Sequence, residues 1–208
     1  MQYESLIFDI DGTLWDSRGL VAEGYNRQLE KEGLGHLKIT VDMLKNLFGK
    51  PLPEIGRLLF TDIPDLQERE ALIYRCTKSQ DRYLKENPCH VGYPQTAETL
   101  RELCRNHRLF IVSNSEQGYP ELCMEKLGLT PFIQGHLCFG DTHTPKGETI
   151  RTLMKKYDIT DAAYIGDTQG DYEATLQAGI PFIWASYGFG EPEGYTEKIE
   201  KISDLLTL

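Results

Sequence analysis

From about residue 94 to residue 184 short apolar runs alternate with amphipathic segments, and few architectures accommodate that order. A helix over Gln95 to Asn106 precedes a strand at Leu109-Phe110-Ile111-Val112, and a helix from about Tyr119 to Leu127 precedes a strand near His136-Leu137-Cys138-Phe139. Gly147 to Tyr157 then precedes Ala162-Ala163-Tyr164-Ile165, and Tyr172 to Ala178 precedes Pro181-Phe182-Ile183-Trp184. Continuous apolar runs this short read as buried strands. Strands alternating with helices imply right-handed crossovers and a parallel sheet covered on both faces. The run Ser5-Leu6-Ile7-Phe8, followed by Asp9-Ile10-Asp11-Gly12, supplies a further strand at the start of the chain. With 208 residues and 40% hydrophobic content, the chain can bury a real core. The expected fold class is α/β.

Residues 19 to 84 have a different texture. Val21, Tyr25 and Leu29 fall at helical spacing, and Leu44, Leu47, Phe48 and then Ile55, Leu58, Leu59 repeat it, with Gly33, Gly35, Gly49, Pro51 and Pro64 as punctuation. No strand-like run interrupts them. The expected organisation is a sheet core formed by residues 1–15 and 85–208, with a small helical domain, residues 16–84, inserted after the first strand.

Each strand empties onto one edge of such a sheet, outside the carboxyl ends where ligands bind. Asp9 and Asp11 follow the first strand, Ser113-Asn114-Ser115 the second, Thr144-Pro145-Lys146-Gly147 lies near the third, and Gly166-Asp167-Thr168-Gln169-Gly170-Asp171 follows the fourth. Residues far apart in sequence thereby meet in one crevice. A carboxylate nucleophile can attack phosphorus and form an acyl-phosphate that water cleaves, and Asp9, at the strand end, is the best placed. Asp11 can protonate the leaving oxygen and later deprotonate water. Mg²⁺ takes oxygen ligands and needs only one or two carboxylates plus a phosphate oxygen. Asp9 and Asp167 meet that demand, with the Asp11 backbone carbonyl as a third candidate. Ser113 and nearby backbone N–H groups can hold phosphoryl oxygens, Lys146 can neutralise the gathered charge, and Asp171 can orient Lys146 or hold a metal-bound water.

Each residue also has a plainer role open to it. Asp-x-Asp-Gly mimics the start of a calcium loop, but Thr13 and Leu20 occupy the fifth and twelfth positions, where ligands would be required. Asp167 could be a helix N-cap, Asp171 a first-turn acid serving the helix dipole, Ser113 a cap and Asn114 a turn former. Trp15 could wall the pocket or pack beneath the inserted domain. Lys50 could reach a substrate's distal anion or be a solvated loop residue, and Tyr187-Gly188-Phe189-Gly190 could border the pocket or simply turn.

The set Asp9-Ile10-Asp11-Gly12-Thr13, Ser113, Lys146 and Gly166-Asp167-Thr168-Gln169-Gly170-Asp171 resembles, in order and spacing across nearly the whole chain, the haloacid-dehalogenase-like (HAD) superfamily of phosphohydrolases. The extension through Leu14-Trp15-Asp16-Ser17 is similar to that of the subgroup with a helical cap after the first strand, phosphoglycolate-phosphatase-like proteins above all. The resemblance implies a Rossmann-like core with a helical cap that closes over a small phosphorylated metabolite. It implies a Mg²⁺-dependent phosphatase working through an aspartyl-phosphate. Asp9 would be the nucleophile and Asp11 the acid/base. Ser113 and Lys146 would bind phosphate, and Asp9, Asp11 and Asp167 the metal; Asn114, by its place after Ser113, joins the candidate phosphate ligands, and Asp171, by its place after Asp167, the supporting residues. The sequence departs from the pattern at Lys146: many relatives have Lys-Pro-x-Pro there, and this chain has Lys146-Gly147-Glu148.

A net charge of −10 argues against a nucleic-acid or membrane-surface binder. The first apolar run is too short and too acidic for a signal peptide, and no stretch is long enough to span a bilayer. Cys76, Cys89, Cys104, Cys123 and Cys138 form no CxxC pair, so buried thiols in a reducing cytoplasm are expected. A monomer and a homodimer are equally compatible with the pattern. Two competing functions share the scaffold: a phosphomutase returning the phosphoryl group to a sugar, and a non-catalytic binding protein.

Overall fold

The structure is a computed structural model that describes residues 3–45 and 47–208. The chain divides into two compact units, one made of Met1–Asp16 with Val91–Leu208 and the other of Ser17–His90.

The first unit is built on six parallel strands: β1 (Ser5–Phe8), β2 (Arg108–Ser113), β3 (Ile133–Cys138), β4 (Ala162–Gly166), β5 (Phe182–Ala185) and β6 (Glu197–Ile199). Their spatial order is β3-β2-β1-β4-β5-β6, the doubly wound Rossmann order. The chain builds outward from β1 in one direction and then in the other, so the crevice of such a sheet falls where β1 and β4 lie side by side. Every residue of β1 and β4 is buried. Ile7, Phe110, Val112, Tyr164 and Phe182 join Ile150 and Leu153 in one core cluster. The alternate residues Leu6, Leu109, Ile111 and Ile165 are also fully buried, as the two-sided cover of a parallel sheet requires.

Four of the expected strands stand within a residue or two of their runs. The third begins earlier, at Ile133, and Phe139 opens a helix instead of closing the strand. β6 has no counterpart among the expected runs: only Ile199 of its three residues is buried, so no apolar pattern marks it.

Ser17–His90 contains no strand among its described residues. It holds α1 (Arg18–Lys31), α2 (Val41–Lys45), α3 (Leu52–Leu59) and α4 (Leu66–Glu86). Val21, Tyr25 and Leu29 are buried along α1 as their spacing predicts, whereas Leu58 is 48% exposed. α1 and α4 approach closely at Gly24, where an added Cβ would lie 2.5 Å from Gln80 Cα. Asp65 caps α4, accepting the Gln67 amide.

The remaining helices belong to the first unit: α5 (Thr96–Leu103), α6 (Tyr119–Leu127), α7 (Phe139–Thr142), α8 (Lys146–Lys156) and α9 (Gln169–Ala178). α9 begins before the expected Tyr172. Thr168 caps it reciprocally with Asp171, which sets Asp171 in the first turn. No described helix is long and apolar enough to cross a membrane.

Candidate active site

The pairing of β1 with β4 brings Phe8 beside Ile165, so the residues that leave the two strands start from adjacent points. Asp9 N–H continues the ladder, donating to Ile165 O at 2.8 Å. Beyond it Gly12 takes φ +84°, and the amides of Thr13, Leu14 and Trp15 all turn back to Ile10 O. Trp15 O accepts Gly12 N–H at 2.9 Å, Trp15 bridges to Gly92, and Asp16 N–H donates to Val91 O at 2.8 Å. The outgoing and returning chain are therefore fastened together where the insertion leaves the first unit.

Asp9, Asp167 and Asp171 present carboxylate oxygens within 4.8 Å of one another. All three are buried, as is Lys146. Lys146, the first residue of α8, donates to Asp9 Oδ1 at 2.9 Å and to Asp171 Oδ1 at 2.6 Å. Asp171 Oδ2 accepts the Thr168 hydroxyl at 2.7 Å and the Thr168 and Asp167 amides at 3.0 and 3.2 Å. Both oxygens of Asp171 are thus engaged by the chain itself. Asp167 differs: Oδ2 accepts Phe189 N–H at 2.7 Å, while Oδ1 is buried with no hydrogen-bond partner.

Three carboxylates against one ammonium set the local electrostatics. Burial pushes the Asp9 carboxyl up to about 7, a rise opposed by Lys146 and assisted by Asp171. Asp167 is driven well above the usual carboxylate range by burial and then by the charges of Asp171 and Asp9. Burial works against Asp171 too, but the Lys146 charge and hydrogen bond outweigh it and hold its carboxyl low. Lys146 is held firmly protonated, because Asp171 and Asp9 overcome its desolvation.

Glycines make room for this cluster. A Cβ on Gly12 would stand 2.1 Å from Asp167 Oδ2, and one on Gly188 2.3 Å from Asp167 Cβ. Gly147, where the relatives' Lys-Pro-x-Pro pattern is missing, meets α9 so closely that a Cβ would lie 3.0 Å from Ala174 O.

Asp11 points elsewhere. Its Oδ1 accepts the Trp15 indole N–H at 2.8 Å and the Tyr119 hydroxyl at 2.9 Å. Ser113 ends β2, buried, and its hydroxyl accepts Ser115 N–H at 3.2 Å. Asn114 follows it, half-buried. In the helical unit Lys50, just before α3, pairs with Glu54 at 2.6 Å.

Sequence reasoning missed two contributors. The apolar spacing marks Tyr119 only as a helix start, and its separation of 108 residues from Asp11 gives no local signal. The Phe189 amide was foreshadowed only by the glycines around it in Tyr187-Gly188-Phe189-Gly190. That loop is pinned further by Tyr187, whose hydroxyl donates to Thr13 O at 2.9 Å and whose ring meets Tyr93 edge-on.

The profile of the family described as "Haloacid dehalogenase-like hydrolase" matches residues 6–185, and the chain belongs to that family. Within it the chain is phosphoglycolate-phosphatase-like. It is 26% identical over 191 residues to a phosphoglycolate phosphatase of Rhodobacter capsulatus, covering 89% of this chain and 85% of that one. It is 28% identical over 198 residues to a phosphoglycolate phosphatase of Agrobacterium fabrum, covering 88% and 80%. A 5'-nucleotidase of Pseudomonas aeruginosa is 24% identical over 198 residues, with 93% and 87% covered. Among solved structures, a predicted phosphoglycolate phosphatase from Haemophilus somnus shares the fold with a TM-score of 0.84 at 20% identity, covering 100% of this chain and 98% of that one.

Proposed function

We propose that this chain is a Mg²⁺-dependent phosphomonoesterase that hydrolyses a small phosphorylated metabolite through an aspartyl-phosphate on Asp9. The observation that carries the reading is the buried group of Asp9, Asp167 and Asp171 around Lys146, at the reversal point of the sheet. The relatives named phosphoglycolate phosphatase support the substrate class.

The residues fit the metal. Asp167 Oδ1, buried and unpartnered beside Asp9, is a hard oxygen donor that would be costly to leave unsatisfied. Asp9 and Asp167 are the proposed ligands, with Asp11 contributing through its backbone carbonyl because its carboxylate Oδ1 is bound to Trp15 and Tyr119. When bound, Mg²⁺ neutralises charge on the transferring phosphoryl group.

The chain's own groups divide the remaining work. Lys146 opposes the protonation of Asp9 that burial favours and holds its carboxylate in one orientation, so that it can form the bond to phosphorus. The Ser113 hydroxyl, with Asn114 and neighbouring amides, receives the other phosphoryl oxygens. Asp11 gives a proton to the departing oxygen and later takes one from water. Asp171 holds Lys146 in place. The unit Ser17–His90 is the proposed helical cap, to which choice of leaving group is assigned. A reducing cytoplasm is the proposed compartment, in keeping with five unbridged cysteines.

A Mg²⁺-supplemented phosphate-release screen over phosphorylated metabolites, phosphoglycolate included, tests this. Asp9→Asn should keep the fold and lose turnover by about 10³-fold or more. Full activity in that variant would refute the mechanism. Isomer formation without phosphate release would point to a phosphomutase instead.

A further inference from the structure

We infer that Tyr187 is a positioning residue for the metal. Its hydroxyl fastens the loop after β5 to the turn after β1, and the Phe189 amide of that loop then holds Asp167 by Oδ2 and leaves Oδ1 to meet the ion. This rests on the proposed reading of Asp9 and Asp167 as Mg²⁺ ligands.

The loop is tied to the elements around it. At its start the Ser186 N–H and hydroxyl both donate to Ile199 O at 2.9 Å, which binds it to β6, and Gly188 N–H turns back to Ala185 O at 3.1 Å. Between them Tyr187, half-buried, donates its hydroxyl to Thr13 O at 2.9 Å, while its ring lies edge-on to Tyr93 at 4.8 Å. Thr13 is itself fixed, fully buried beside Gly12 with its amide on Ile10 O at 3.2 Å. The Tyr187 hydroxyl therefore joins the loop to the same turn that carries Asp9 and Asp11 away from β1.

Asp167 is caught between the two. A Cβ on Gly188 would stand 2.3 Å from Asp167 Cβ and 2.5 Å from Gly12 O, and one on Gly12 would stand 2.1 Å from Asp167 Oδ2. One residue on, Phe189 N–H donates to Oδ2 at 2.7 Å, and Oδ1 is buried with no hydrogen-bond partner. The terminal torsion of a carboxylate is broad and soft, so burial alone does not set its plane. A short bond from a fixed amide does. Mg²⁺ demands near-ideal octahedral geometry and tolerates a displaced ligand poorly. Groups that orient a metal ligand from outside the coordination sphere are for that reason worth much of the affinity. Tyr187 acts one step further out, through the backbone it holds.

The test is titration of the metal-free chain with Mg²⁺ alone, followed by calorimetry, after thermal unfolding in EDTA has shown each variant to be folded. Tyr187→Phe removes one hydroxyl and keeps the ring against Tyr93. It should weaken Mg²⁺ binding about 10-fold. Ser186→Ala removes a hydroxyl of the same loop that bonds β6 instead, and should change Mg²⁺ affinity less than about 2-fold. Asp167→Asn, run alongside, should abolish measurable binding. Given that loss, unchanged affinity in Tyr187→Phe, or equal weakening in both loop variants, overturns the inference and leaves the ligand assignment standing. Retained Mg²⁺ binding in Asp167→Asn, or none by the unsubstituted chain, overturns the ligand assignment and the inference with it.

Discussion

Lys146 Nζ lies 2.6 Å from Asp171 Oδ1, closer than its 2.9 Å to Asp9 Oδ1. The lysine is anchored on the acid whose two oxygens the chain itself engages and is shared with the one that performs the proposed chemistry. Asp171→Asn removes the anchoring charge and places an amide where both carboxylate oxygens accept. Expected are a fall in kcat of about 10- to 100-fold, as for a supporting residue, and a stability loss of about 3–5 kcal/mol for breaking a buried ion pair, read by denaturant titration. Unchanged stability would show that Asp9 alone suffices to hold the lysine.

Asp167 makes the opposite prediction in metal-free protein. Its folded-state carboxyl titrates well above the usual 3.8, and that of Asp9 near 7. Both groups are neutral in either state at low pH. The folded state is penalised as the pH rises above about 4, where unfolded carboxyls ionise. Asp167→Asn should therefore stabilise the metal-free chain at pH 8 by about 1–3 kcal/mol and leave it nearly unchanged at pH 4. Mg²⁺ should raise Tm in the unsubstituted chain and EDTA should reverse the rise, whereas the variant should respond to neither.

Asp81 on α4 has its carboxyl pushed by burial to about 6, with only the Gln80 amide, at 3.1 Å, pulling the other way. The same sign applies: the penalty develops between about pH 4 and pH 6 and is full above. Asp81→Asn should stabilise α4 at pH 7.5 by about 1–3 kcal/mol, with no gain at pH 4. Hydrogen exchange of the α4 amides isolates this effect from the other unit.

Two glycines of α1 should respond in opposite directions to the same change. Gly24 stands against the Gln80 backbone, and Gly19 has nothing within 4 Å of an added Cβ. Gly24→Ala should force α1 off α4 and cost about 1–3 kcal/mol despite alanine's better helix propensity. Gly19→Ala should gain up to about 1 kcal/mol. Thermal unfolding followed by circular dichroism distinguishes the two.

Much of this arrangement is legible along the chain. β1 and β4 show as runs because every residue in them is buried, and burial writes itself into local composition. Asp9 and Asp167 stand out because each follows such a run. The start of α9 is not legible in the same way, since Thr168 and Asp171 form a reciprocal cap that apolar spacing does not report. β6 left no apolar trace because it is short and exposed at two of its three residues.

The sequence by itself determined the runs that become β1, β2, β4 and β5, the helical texture of residues 19–84, and the polar groups that follow β1, β2 and β4, because these depend on the periodic exposure of a single segment. Only the tertiary structure decided that β1 pairs with β4, that Asp167 Oδ1 is left buried beside Asp9 without a partner, and that Tyr119 joins Trp15 on one oxygen of Asp11. Those relationships depend on pairing between segments 108 residues or more apart, and a hydrogen bond across such a distance imposes no period on either segment.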